Sequence, residues 1–130
     1  MFLISDAMSC VGTDVSEFVL NKRRIKRKNG MLLLDDGTLA GADLNLARAV
    51  FVMQEKVGLD LGEALAMASL YPAEAVEMHP ETGRLVAGAR ADLVWLSDQI
   101  KPQKTWIGGV DVTSGTPGSI INGRLGNEIA

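Results

Sequence analysis

Few side chains in this 130-residue chain have types and settings suited to chemistry. Asp6 follows the apolar run Phe2-Leu3-Ile4 at once, with Ser5 and Ala7 beside it. On its own a lone carboxylate at the end of a buried-looking strand reads as a turn or helix-cap acid, with proton transfer as the chemical alternative. Cys10 is the single thiol and has no histidine near it in sequence, so it reads as a small, partly buried residue. One thiol closes no internal disulfide, which makes a reducing cytoplasm the expected compartment. His79, the single imidazole, sits between Met78 and Pro80 and reads as a loop residue. A catalytic zinc takes about three protein ligands, more histidine than this chain offers. Lys22 to Lys28 (KRRIKRK) gathers six basic residues in seven. The run reads as a solvated hairpin, with a contact to a phosphate or another subunit left open as the alternative. No aromatic residue interleaves it, which disfavours nucleic acid.

The elements that must position these residues follow from periodicity. Phe2–Ile4 reads as a short strand, apolar on both faces, of the kind found in parallel sheets covered by helices. No βαβ unit precedes it, so the chain is expected to begin as if an upstream portion were missing. Phe18–Leu20, Ile25 and Met31–Leu34 read as short strands of a hairpin or meander, turned at Asn21 and at Asn29-Gly30. Asp35 to Asp43 (DDGTLAGAD) reads as a loop. Asp43 is the expected N-cap of a helix from Leu44 to Val57, which Gly58 ends. Asp60 with Glu63 forms a capping-box start for a helix over 61–70. Pro72 is placed to open a third, short helix from Ala73 to Met78. After Pro80 the period changes, and 84–86, 92–96, 104–107 and 110–112 are the expected strands, with glycines between them. Residues 113–130 read as a loose tail.

Hydrophobic residues make up 47% of the chain, too many for a disordered composition. The net charge of −3 argues against general nucleic-acid binding. No apolar run approaches the roughly 20 residues of a membrane span, and the N-terminus lacks the basic flank of a signal peptide.

Four segments in order carry a resemblance: SDAM at Ser5–Met8, DGTLAGAD at Asp36–Asp43, ASLYPAEAV at Ala68–Val76 and GRLVAGARADLVWL at Gly83–Leu96. Over roughly residues 1–112 the chain resembles the C-terminal part of N-acetylglucosamine-6-phosphate deacetylases, members of the amidohydrolases. The implied fold is α/β: a C-terminal fragment of a metal-dependent (β/α)8 barrel, comprising its last strand and following helices, plus the returning strands of a small β domain. Residues 1–79 would belong to the barrel and 80–112 to the small domain. The implied activity is hydrolysis of the acetamide of N-acetylglucosamine 6-phosphate to glucosamine 6-phosphate and acetate. Asp6 would be the catalytic acid and base, and Leu39, Ala40 and Gly41 would contact the sugar. Asp92 and Tyr71-Pro72 read as structural. Glu77 stands where the family commonly has glycine.

The resemblance implies a divalent metal, zinc or similar, whose ligands would lie upstream of Met1. The isolated chain is therefore expected to bind no metal, to be inactive, and to associate as a homo-oligomer through exposed helix faces. Neither a nucleic-acid nor a membrane partner is expected. The competing readings are another amidohydrolase acting on a cyclic amide, and a truncated, non-catalytic association module.

Overall fold

The computed structural model of the chain describes residues 1–113. The expected loose tail lies outside these residues, apart from Thr113. Two small antiparallel sheets flank a short helical segment. The first is a meander of β1 (Glu17–Leu20), β2 (Arg23–Lys28), β3 (Met31–Leu34) and β4 (Leu39–Ala42), in that spatial order. Its hairpins turn where left-handed residues stand: Asn21 and Lys22 between β1 and β2, Asn29 and Gly30 between β2 and β3.

Strand alternation decides what the meander buries. Phe18 pairs with Ile25, Ile25 with Leu34, and Arg27 with Leu32, so these five residues share one face. Ile25 and Leu32 are buried there together with Cys10, and Met8, Phe18, Leu34 and Ala40 pack around them. The chain from Met8 to Cys10 thus lies over the inner face of the sheet.

The helical segment holds α1 (Leu46–Val52), continued by a π-helical turn at Met53–Val57, then α2 (Leu61–Ala68) and α3 (Leu70–Ala75). Gly58, left-handed at φ 81°, closes the π turn. Asp60 caps α2, its Oδ1 accepting the N–H groups of Gly62 and Glu63. Val50, Ala64 and Ile100 form a second buried cluster, with Leu3, Phe51 and Leu96 against it. The second sheet is β5 (Leu93–Leu96), β6 (Pro102–Ile107) and β7 (Val110–Asp111). Asp92 pins its corner, accepting from Gly108 N–H at 2.7 Å and pairing with Arg90 at 2.9 Å. Among the described residues no helix is long and apolar enough to cross a membrane.

Several expectations are corrected. Phe2–Ile4 is not a strand: Leu3 N–H donates to Met67 O at 2.8 Å, and the one parallel bridge in this region joins Ala7 to Ala42. An apolar run forms a parallel strand only beside a partner ladder, and among the described residues none lies along it. Residues 39–42 are a strand rather than loop, because β3 supplies a pairing edge. Asp43 does not cap α1. Its carboxylate is held by Arg27, and Asn45 caps instead, its side-chain oxygen accepting Arg48 N–H at 2.8 Å. The third helix starts at Leu70 and ends at Ala75, three residues early at each end. Arg84–Val86 is turn and coil; the left-handed Gly83 and Gly88 bracket it too closely for a ladder, and Leu85 is 82% exposed. Glu77 lies at φ 61°, in the left-handed region that glycine adopts most readily.

Candidate functional site

The acid and the candidate substrate segment meet through their backbones. Ala42 N–H donates to Asp6 O at 3.1 Å, and Met8 N–H donates to Ala42 O at 3.3 Å. These two bonds flank the Ala7–Ala42 bridge and set the Asp6 turn against the end of β4.

Each partner is locally irregular. Asp6 holds a left-handed backbone, φ 48°, which a non-glycine residue adopts rarely and most readily when it is Asp or Asn. Its side chain is exposed, and among the described residues it has no ion-pair partner. On the other side, Leu32 pairs with Gly41 but Leu33 pairs with Leu39. Ala40 is therefore the extra residue of a β-bulge. A bulge twists its strand and re-aims the side chains around it. Gly41 lies at φ 148°, and a Cβ placed there would stand 2.6 Å from Met8 Cγ and 2.8 Å from Met8 Sδ. A side chain at residue 41 would be strained at this φ and would have to displace the methionine of the SDAM segment.

The structure thus brings Asp6 together with Gly41 and places Leu39 and Ala40 on the same bulged strand. Sequence reasoning missed two contributors. Met8 supplies the contact with Gly41. Arg27, which belongs to the basic run, turns inward: its Nη1 donates to Thr13 O at 2.7 Å, its Nη2 donates to Cys10 O, and its Nε lies 2.9 Å from Asp43 Oδ2, off the N–H line. The signal was the alternation of β2, which puts Arg27 on the face of Ile25. The neighbouring pairs Arg24–Glu17 and Lys26–Asp35 lie on the opposite, solvated face, as expected for a surface hairpin.

Among the described residues no three His, Cys, Asp or Glu side chains converge so as to hold a metal ion. His79, in the turn after α3, has its Nδ1 shut from solvent without a partner. The described residues do not fit the implied divalent metal by themselves.

Residues 5–113 match the model of the amidohydrolase family, and the chain belongs to that family. It is similar to the N-acetylgalactosamine-6-phosphate deacetylase of Shewanella sp. (strain ANA-3), being 38% identical over 110 residues, 84% of this chain and 27% of that protein. The crystal structure of N-acetylglucosamine-6-phosphate deacetylase from Pasteurella multocida superposes with a TM-score of 0.79 at 27% identity, covering 83% of this chain and 28% of that one. A shorter stretch of 75 residues, 58% of this chain and 12% of the relative, is 44% identical to adenine deaminase 2 of Bradyrhizobium sp. (strain ORS 278). The chain spans about a quarter of the length of these two deacetylases.

Proposed function

We propose that this chain carries the acid/base residue and one substrate-contacting segment of an N-acetylglucosamine-6-phosphate deacetylase. The observation that carries the reading is the pairing of the Asp6 turn with the bulge at Leu39–Gly41, two segments that the resemblance names separately and the fold joins. On this reading, residues 1–79 belong to the barrel and 80–112 to the small β domain.

The chemistry assigned to Asp6 is a two-way proton transfer. Its carboxylate accepts a proton as water attacks the acetamide carbonyl, then returns it to the amine nitrogen as the C–N bond breaks. Acetate and glucosamine 6-phosphate leave. Positioned proton transfer of this kind contributes about 10²–10⁴-fold in rate. On this reading the bulge offers its main-chain groups and the exposed side chain of Leu39 to the sugar, while Ala40 packs on the core and Gly41 abuts Met8.

The chain alone, with zinc added, is expected to release no acetate from N-acetylglucosamine 6-phosphate, because no cluster of metal ligands forms among its described residues. The test of function exchanges the matching stretch of the Pasteurella multocida deacetylase for residues 5–113. The expected chimera releases acetate, and Asp6→Asn lowers its kcat by about 10²-fold or more. A folded chimera without turnover, or an Asp6→Asn variant at full rate, would refute the reading. Assaying the galactosamine epimer and adenine alongside decides which C–N bond the segment serves; preferred release of ammonia from adenine would favour the deaminase relatives.

A further inference from the structure

The contact between Asp6 and the bulge rests on one bridge, two backbone hydrogen bonds and the packing of Met8 over Gly41. No strand lies between Asp6 and β1; the chain there is held by the burial of Cys10 and, at its end, by Arg27 N–H donating to Ser16 O at 2.8 Å. The Arg27 side chain adds a polar restraint between these anchors. Its guanidinium reaches two carbonyls of the segment that follows Asp6, at Cys10 and Thr13, and the carboxylate of Asp43, which follows the bulge. Both chain segments are gripped on the same side of their meeting point. The side chains of Arg27 and Asp43 are only 22% and 18% exposed, so water competes weakly for the contact. A lysine could pair with Asp43 but could not span the carbonyls as well, because only arginine presents a rigid planar fork of donors.

We infer that Arg27 is a positioning residue: by bridging Cys10, Thr13 and Asp43 it holds the Asp6 turn against the Leu39–Gly41 bulge. Its importance for catalysis rests on the deacetylase reading, but the clamp itself can be measured without turnover. The experiment is amide hydrogen exchange by NMR on the full 130-residue chain. Met8 and Ala42 report the contact. Ala64 N–H, bonded to Asp60 O in α2, reports global stability.

Arg27→Ala is expected to accelerate exchange at Met8 and Ala42 by about tenfold or more while leaving Ala64 within about twofold. The nuclear Overhauser effect between the Met8 side chain and the Gly41 Hα protons should weaken with it. Arg27→Lys keeps the charge and guards against a misfolded alanine variant; it is expected to recover only part of the protection. Unchanged exchange at Met8 and Ala42 would overturn the inference. So would equal acceleration at all three amides, which marks a general stabiliser, or full protection in Arg27→Lys, which marks a simple ion pair. Failure of the chimera to deacetylate would sink the function and leave this exchange pattern standing, so the two outcomes are separable.

Discussion

Gly41→Ala is the sharpest probe of the geometry at the candidate site. The added methyl would meet Met8 Cγ at 2.6 Å and Sδ at 2.8 Å, well inside van der Waals contact. Two penalties are expected. The φ of 148° is adopted almost only by glycine, and forcing it on alanine costs about 1–3 kcal/mol. Displacing Met8 from the cluster of Cys10, Ile25 and Leu32 costs about another 1–3 kcal/mol. The two can be separated. In a Met8→Ala background the clashing atoms are gone and only the backbone penalty remains, so a double-mutant cycle should show a coupling of about 1–3 kcal/mol. Gly37→Ala serves as control: Gly37 is also left-handed, at φ 85°, but has nothing within 4 Å of its would-be Cβ. Urea unfolding followed by circular dichroism reads the effect. With an m-value near 2 kcal/mol/M, a coupling of about 2 kcal/mol moves the midpoint by about 1 M. If Gly41→Ala costs the same with and without Met8, within about 0.5 kcal/mol, the steric reasoning fails.

The remaining predictions concern the frame around the site. Gly83→Ala would bring a methyl to 2.8 Å from Ala73 Cβ, 3.0 Å from Ser69 O and 3.1 Å from Leu70 Cα. These neighbours belong to or adjoin α3 and cannot swing aside, so a loss of about 2–4 kcal/mol in urea unfolding is expected. A loss under about 0.5 kcal/mol would show that the 83 turn does not pack there. Stability should also fall in acid. Asp35 is held below the ordinary carboxylate value of 3.8 by its hydrogen bond to Lys26, Asp36 by the N–H of Thr38, and Asp111 by the hydroxyl of Thr113. A carboxyl that ionises more readily folded than unfolded stabilises the fold above its unfolded pKa and loses that contribution as pH falls through its lowered folded value. The urea midpoint should therefore decline from about pH 4 downward, and Lys26→Ala should remove the Asp35 share of that slope. An identical slope in Lys26→Ala would refute the assignment.

Local signals in the sequence were sufficient where a structural choice is local. Asp60 and Glu63 announce the start of α2, since a cap needs only a side-chain oxygen and the N–H groups two and three residues on. Asn29-Gly30 announces its hairpin because both residues tolerate positive φ. The apolar run of β3 beside that turn was equally plain. Choices that depend on distant partners were not legible. Residues 39–42 carry poor strand formers and became β4 because β3 offered an edge. Asp43 looked like a cap until Arg27, from another strand, took its carboxylate and left the role to Asn45. Phe2–Ile4 had strand character but no ladder to join. For the site, the place of Asp6 after an apolar run drew notice to it, but its role, like those of Leu39, Ala40 and Gly41, came from the resemblance. That they adjoin one another, and that Met8 and Arg27 hold them, required the fold.

The two motifs are in this sense one steric object. The left-handed Asp6 is flanked by the bonds that Ala42 N–H donates to Asp6 O and Met8 N–H donates to Ala42 O, and Met8 fills the space that a Cβ at residue 41 would take. The bulge at Ala40 in turn lets β4 change register between Leu33 and Leu32 and present Gly41 opposite Leu32, on the buried face. Enlarging residue 41, straightening the bulge or releasing Arg27 would each move the same carboxylate. A substitution at any of these places should thus be read first as a displacement of Asp6 and only then as the loss of a side chain. Met8→Ala is the discriminating case, since it removes no reactive group and yet frees Gly41 from its only close neighbour in the SDAM segment's side chains.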